Sequence, residues 1–350
     1  MLLRIFLLLL ALAAFAGCST SLDAYPWQTL SGEPPIIIAH RGDSGNYPEH
    51  TLGAYESAML LRADFVEPDV VLTKDGVLVC RHDLYLSTTT DVASFPEFAD
   101  RKRTLGDHED WYAGDFTLAE LKQLRAVQPR DNRPLRLASR YHVPTLSEVM
   151  ELAGRYQART DEPVMLYIEV KKPKEHAAMG LDPVAALKDV LAKFSETEPI
   201  PGVILQCFDM EAAAILAASD YPVVYLSSDP VDFDKLPEGI AGLGLNKKLI
   251  EIVDGRSELV EEAHRRGLFV HAWTFRDDQL EDTGFDDAQA EIEAYLEAGI
   301  DGIFTDFPKT GVAARQAVFD RWQRQQDTGK DEPLSQRIRE DSPRRLLRSY

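Results

Sequence analysis

The sequence predicts an α/β protein built as a closed (β/α)8 barrel of the TIM type. Three observations point there. Beyond Pro144, short apolar runs alternate with amphipathic stretches, as strands and helices do around a parallel sheet. Eight or nine candidate strands are present along the chain, and the first is not followed by the G-x-G-x-x-G fingerprint of an open dinucleotide-binding sheet. The ends of these runs repeatedly carry chemically useful side chains, as strand ends do on the C-terminal face of a barrel.

At 350 residues the chain can bury one large core or two smaller ones. Its 38 basic and 58 acidic residues leave a net charge of −20, which argues against binding nucleic acid or any other extended polyanion. Phosphate recognition must therefore be local. The first residues read as a targeting segment. Arg4 precedes an unbroken apolar run over 5–16, too short for a mature membrane span but suited to a signal peptide. Ala14-Phe15-Ala16-Gly17-Cys18 resembles a bacterial lipobox, so 1–17 is expected to be removed and Cys18 lipidated. Plain secretion with cleavage near Gly17 is the other reading. The mature protein is then exported, periplasmic or outer-membrane-attached, and meets the membrane only through that anchor. Residues 18–35, with Pro26, Gly32, Pro34 and Pro35, read as a tether.

The first strand, 36–39, consists of three isoleucines and an alanine and leads into His40, Arg41 and Gly42. After Pro48, positions 52, 55, 58, 59 and 62 follow helical spacing. Residues 64–73 predict a second strand, Lys74-Asp75-Gly76 a turn, and 77–82 a third strand ending on His82. The link from Asp69 to Val77 spans roughly 25 Å when extended, enough for the third strand to run parallel to the second. A plain hairpin is the alternative, and it is expected to put His82 at the opposite end from Asp69. Residues 83–143, rich in Thr, Asp, Arg and Tyr, break the rhythm and read as an insertion after the third strand, a lid over the mouth. They hold one short helical piece near 117–125.

Helices are then expected over 145–159, 183–195, 210–218, 256–267 and 286–298, and a last one from about Thr310. Strands are expected over 164–170, 203–208, 223–227, 241–245, 268–274 and 302–305. The catalytic barrel would occupy 36–325 and a charged tail 326–350. Cys80 and Cys207 fall in separate predicted strands and are expected as buried free thiols.

The strand ends carry His40-Arg41, Glu67-Pro68-Asp69, His82-Asp83, Glu169 with Lys171, Gln206 with Phe208, Trp273, and Asp306. Glu67 and Asp69, two apart on a strand, point to one face. Two carboxylates converging inside a barrel are costly to bury without a cation between them. Glu169 adds a third oxygen, and the absence of thiol ligands suits a hard ion, Ca²⁺ or Mg²⁺. A salt-bridged network with Arg41 and Lys171 is the competing explanation. Two histidines can act as general acid and base near neutral pH, and two cations can hold a phosphate. Residue types and spacing thus reach a metal-dependent site handling a phosphate ester.

The same residues carry a resemblance. AHRGDSGNYPEHTL, the E-x-D pair followed by TKDG and a strand ending HD, then YIEVKKP, LQCFD and GIFTDFP resemble the glycerophosphodiester phosphodiesterases, most closely their exported, lipoprotein-type bacterial branch. The resemblance runs from about residue 35 to 310 and keeps the family's order of motifs. It implies a barrel of the phospholipase-C-like phosphodiesterase type and hydrolysis of deacylated phospholipids, such as glycerophosphocholine, to sn-glycerol 3-phosphate and an alcohol. It implies Glu67, Asp69 and Glu169 as metal ligands, with Ca²⁺ ahead of Mg²⁺. His40 is implied as base and His82 as acid, and the reaction is expected to pass through a cyclic phosphate. Arg41 and Lys171 are implied as phosphate contacts and Glu49 as a support for His40 or Arg41. Gln206, Phe208 and Trp273 fall where the family lines its substrate pocket. Asp43 stands where the family usually has alanine, and Pro68 fills the middle of the E-x-D pair. The partner is a small molecule, and no protein partner is implied. Two rivals remain at this point: a sphingomyelinase-D-like lipid phosphodiesterase, and a surface lipoprotein using the barrel only for binding.

Overall fold

The computed structural model describes residues 27–197, 202–280 and 284–327. Eight parallel strands close into a barrel: β1 (Ile36–His40), β2 (Phe65–Glu67), β7 (Met165–Val170), β8 (Val203–Cys207), β9 (Val223–Ser227), β10 (Gly242–Asn246), β11 (Phe269–Phe275) and β12 (Gly302–Thr305). Each pairs with the next, and β12 returns to β1, so the predicted (β/α)8 barrel forms. No helix among the described residues is long and apolar enough to cross a membrane.

Side-chain alternation along the strands explains both core and site. Ile36, Ile38, Phe65, Met165, Tyr167, Ile204 and Phe304 pack together inside the barrel. Ile37 and Ile303 belong to a separate outer cluster. A period of two therefore continues each inward series one step further up. Ile38 is followed by His40, Phe65 by Glu67 and Asp69, Tyr167 by Glu169, Ile204 by Gln206, and Phe304 by Asp306. The polar residues converge because the apolar ones below them do.

The third predicted strand is the main correction. Asp69–Leu72 (β3) continues β2 in unbroken register against β7, and Leu78–Cys80 (β4) returns antiparallel to it. Pro68 splits β2 from β3 because it has no N–H to donate, though its carbonyl still accepts from Glu169 N at 3.0 Å. The hairpin turns at Lys74-Asp75-Gly76, with Gly76 at φ 77°. Its geometry also reverses the expectation attached to it. Val70 pairs Cys80 and Arg81 N donates to Asp69 O at 3.0 Å, so the chain rises past the rim and returns beside Asp69. His82 follows at the same end as the carboxylates, and the insertion therefore leaves from a hairpin and not from a barrel strand.

Residues 83–143 build a small core of their own around Leu86, Phe98, Tyr112, Phe116, Leu121 and Leu124, which packs on Val71 and Val79 of the hairpin. They hold a two-stranded ribbon, Arg103–Leu105 (β5) with His108–Asp110 (β6), and a short helix Leu118–Leu121. The helix Leu146–Thr160 starts with a capping box in which Thr145 and Glu148 each bond the other's backbone N–H. A short helix at Pro173–Ala178 was not anticipated, and the last helix begins at Pro308. Cys80 and Cys207 are buried free thiols.

The tether expected over 18–35 is docked from Trp27 onward. Trp27 is buried in the outer cluster, and Leu30 N donates to Asp301 Oδ1 at 2.6 Å. The apolar indole wins over the local Pro/Gly content. The signal peptide, Cys18 and the tail beyond 327 lie outside the described residues.

Candidate active site

The turn after β1 sets the first group of residues. Arg41 adopts the left-handed region at φ 59° and Gly42 follows at φ 83°, where a Cβ would meet the Ala54 carbonyl carbon at 2.7 Å. This tight turn points the Arg41 backbone N–H at Glu67 Oε2, 2.8 Å away. Its guanidinium donates twice to Glu49, at 2.9 and 3.1 Å, and lies 3.6 Å from Asp69. Glu49 thus supports Arg41. Burial pushes its carboxyl up, but the charge of Arg41 together with smaller contributions from His50, His82 and Arg81 brings it down to about 2.

Glu67, Asp69 and Glu169 each present an oxygen within 4.8 Å of the others, all buried. Lys171 bonds Glu169 at 2.6 Å and lies 3.7 Å from Asp69 Oδ1. Glu67 forms no ion pair among the described residues. It accepts only from the Arg41 N–H and from Gln206 Nε2, at 3.1 Å. Burial, then the neighbouring charges of Asp69 and Glu169, push its carboxyl well above the usual range. Asp69 goes the other way despite burial, held down by Lys171 and His50. Asp69 Oδ1 is buried without a hydrogen bond. An orphaned carboxylate oxygen, a third carboxylate without an ion-pair partner and an all-oxygen donor set fit a hard divalent cation. The salt-bridge network exists, but it leaves Glu67 out.

His40 Nδ1 lies 2.6 Å from Asp306 Oδ1. A carboxylate only accepts, so Nδ1 carries the proton and Nε2 is left as acceptor. Arg41 Nε approaches that nitrogen at 3.3 Å. Burial, then the Arg41 charge, lower the ring to about 4 against the opposing pull of Asp306. His82 Nδ1 lies 2.9 Å from Asp83 Oδ1, and the ring is close enough to act on the Glu49 and Asp69 carboxylates. Both histidines, both cations and the three carboxylates therefore meet at one end of the barrel.

The sequence model of the glycerophosphoryl diester phosphodiesterase family matches residues 40–310. The chain belongs to that family. It is 32% identical over 317 residues to a glycerophosphodiester phosphodiesterase of Arabidopsis thaliana, covering 78% of this chain and 84% of the relative. It is 30% identical over 355 residues to the Haemophilus influenzae glycerophosphodiester phosphodiesterase, covering 87% and 96%. An Oleispira antarctica phosphodiesterase, solved in complex with the product sn-glycerol-3-phosphate, shares the fold at TM-score 0.59 and 24% identity, across 82% of this chain and 99% of that one. The protein is thus an enzyme, a glycerophosphodiester phosphodiesterase acting on a small-molecule substrate.

Within this phosphodiesterase the three residues expected to line the pocket separate. Phe208, 42% exposed, meets Trp273 edge-to-face at 5.6 Å. Gln206 is buried and donates to Glu67. Four groups around the site were not anticipated. His50 is fully buried, with Nε2 2.8 Å from Asp69 Oδ2 and Nδ1 2.7 Å from the Tyr55 hydroxyl. Arg81 is fully buried and donates to the backbone carbonyls of Cys80, Glu49, His50 and Thr89. Arg133 and Arg276 bond Asp306 Oδ2 at 2.6 and 2.7 Å. His50 lies within PEHTL and Asp306 at a strand end, so both were in view without a role. Arg133 sits in the irregular insertion, where no periodicity marks it.

Proposed function

We propose that the enzyme hydrolyses glycerophosphodiesters to sn-glycerol 3-phosphate and an alcohol in a metal-dependent reaction, with His40 as base and His82 as acid. The observation that carries this is the His40–Asp306 pair, which leaves Nε2 as a proton acceptor beside three buried carboxylates. Glu67, Asp69 and Glu169 would hold the cation, Ca²⁺ ahead of Mg²⁺. When bound, it would supply positive charge that offsets charge building on phosphate oxygens and lowers the pKa of a coordinated hydroxyl.

The substrate's hydroxyl next to the ester gives its proton to His40 Nε2 as its oxygen bonds to phosphorus. The bond from phosphorus to the alcohol breaks, and the departing oxygen takes a proton from His82. Water then opens the cyclic phosphate with the roles exchanged: His82 takes the water proton and His40 returns its proton to the glycerol hydroxyl. Asp306 and Asp83 each accept from Nδ1 of their histidine and so aim the rings. Arg41 and Lys171 balance the carboxylates and face the position of the phosphate.

Release of glycerol 3-phosphate from several glycerophosphodiesters tests the reading. Activity is expected to disappear with a chelator and to return with Ca²⁺ or Mg²⁺. Full turnover in excess chelator would refute metal dependence, and preference for micellar lysophospholipid would favour the lipid-phosphodiesterase alternative.

We also propose export as a lipoprotein, on the strength of Arg4, the apolar run over 5–16 and Ala16-Gly17-Cys18. Labelled palmitate should enter the wild type and not Cys18→Ala, which should leave the membrane fraction. Equal labelling of both would exclude lipidation at Cys18.

A further inference from the structure

Arg133 belongs to the insertion, yet its guanidinium is buried at the barrel rim. NH2 donates to Asp306 Oδ2 at 2.6 Å and to Asp278 Oδ1 at 3.2 Å, Nε donates to Asp278 Oδ2 at 2.8 Å, and NH1 donates to the Ser44 carbonyl at 3.2 Å. The group lies 5.4 Å from the Phe307 ring. It therefore ties together the turn after His40, the segment after β11 and the end of β12. Asp306 has its other oxygen on His40, while Arg276 shares Oδ2. Gln128 adds a bond from its amide to the Tyr47 carbonyl at 3.2 Å, so the insertion is fastened to the loop that carries Arg41.

We propose that Arg133 is a positioning residue for catalysis: the insertion uses it to lock the Asp306 carboxylate on His40 Nδ1, so the insertion is a fixed part of the acid–base machinery and not a removable lid. The inference rests on the assignment of His40 as base. A carboxylate held on one oxygen by two guanidiniums can neither rotate away nor swap its oxygens without breaking charge-assisted bonds. The other oxygen is then held on Nδ1, which keeps the proton there and leaves Nε2 as the acceptor nitrogen of the ring. Arg276 alone leaves Oδ2 with one donor, and Asp306 gains a rotation that uncouples it from the ring. A buried bidentate pair with Asp278 makes lysine a poor substitute, because an ammonium cannot span both carboxylates with the same geometry.

Steady-state kinetics on glycerophosphocholine test this, with folding checked by circular dichroism and thermal melting. Arg133→Met is expected to lower kcat on the order of tenfold to a hundredfold, as loss of a ring-orienting partner typically does, with KM within about threefold. Arg133→Lys should recover only part of kcat. Arg130→Ala removes the exposed contact to Gln279, 3.0 Å, without touching Asp306, and should keep kcat within about twofold. In proton NMR, the downfield imidazole N–H signal that His40→Asn abolishes should broaden or shift in Arg133→Met. A folded Arg133→Met with wild-type kcat and an unchanged signal would overturn the proposal, as would a loss confined to KM. If His40→Asn itself kept wild-type kcat, the failure would lie in the assignment of the base.

Discussion

Replacing His40 by alanine is expected to lower kcat for glycerophosphocholine by about 10²–10⁴-fold, with KM changed only a few-fold. The ring is poised as an acceptor: Asp306 fixes the Nδ1 proton at 2.6 Å, and burial with Arg41 holds the ring down at about 4. A group lowered in this way is neutral at and above neutral pH. It charges only as pH falls through about 4, so the contribution of His40 as base to kcat/KM should be lost on that acid side. His82→Ala should be comparably slow on a choline ester but much less impaired on a glycerophosphodiester with a nitrophenol leaving group, which needs no protonation to depart. His40→Ala should remain slow on both, because removal of the hydroxyl proton does not depend on the leaving group. Quenched-flow measurement of alcohol or nitrophenolate release in the first turnover reads each case, because glycerol 3-phosphate release also needs His82 as base in the ring-opening step. A His40→Ala rate within threefold of wild type would remove it from the mechanism.

The sequence carried the barrel and the converging side chains for one reason, which is that both follow from period-two alternation on buried strands. Ile36 and Ile38 lead to His40, and Phe65 leads to Glu67 and Asp69, with no long-range information needed. The pairing of the third strand stays open in the sequence because an eight-residue link is compatible by length with either arrangement. Lys74-Asp75-Gly76 was the better evidence, since a tight turn with Gly76 at positive φ commits the chain to an antiparallel return. What stayed hidden was the set of long-range polar contacts. Arg133 and Asp306 are 173 positions apart, and His50 and Asp69 meet only once the β1 turn has folded back on the rim. Trp27 shows the same limit from the apolar side, docking a segment whose composition reads as linker.

Glu67→Gln should separate a metal site from a salt-bridge network, because the two predict opposite signs. Glu67 has no ion-pair partner among the described residues, and its two bonds come from the Arg41 N–H and the Gln206 amide. The new side-chain amide keeps the shape. Its oxygen can accept from Arg41 N–H, and Gln206, whose Oε1 has no partner, can turn its amide over to accept from the new NH2. Every hydrogen bond is then conserved while one of three mutually repelling buried carboxylates is neutralised. In the presence of chelator the variant should therefore melt at the wild-type temperature or above it. Added Ca²⁺ at about a hundredfold over its Kd should stabilise the wild type by about 2.7 kcal/mol, and the variant by far less. Activity should fall with that lost increment, even though the metal-free fold is no weaker. If the carboxylates served only to pair Arg41 and Lys171, divalent ions would stabilise neither protein. A variant that melts well below wild type in chelator would show that Glu67 works as a structural anion, against the reading that it waits for a cation.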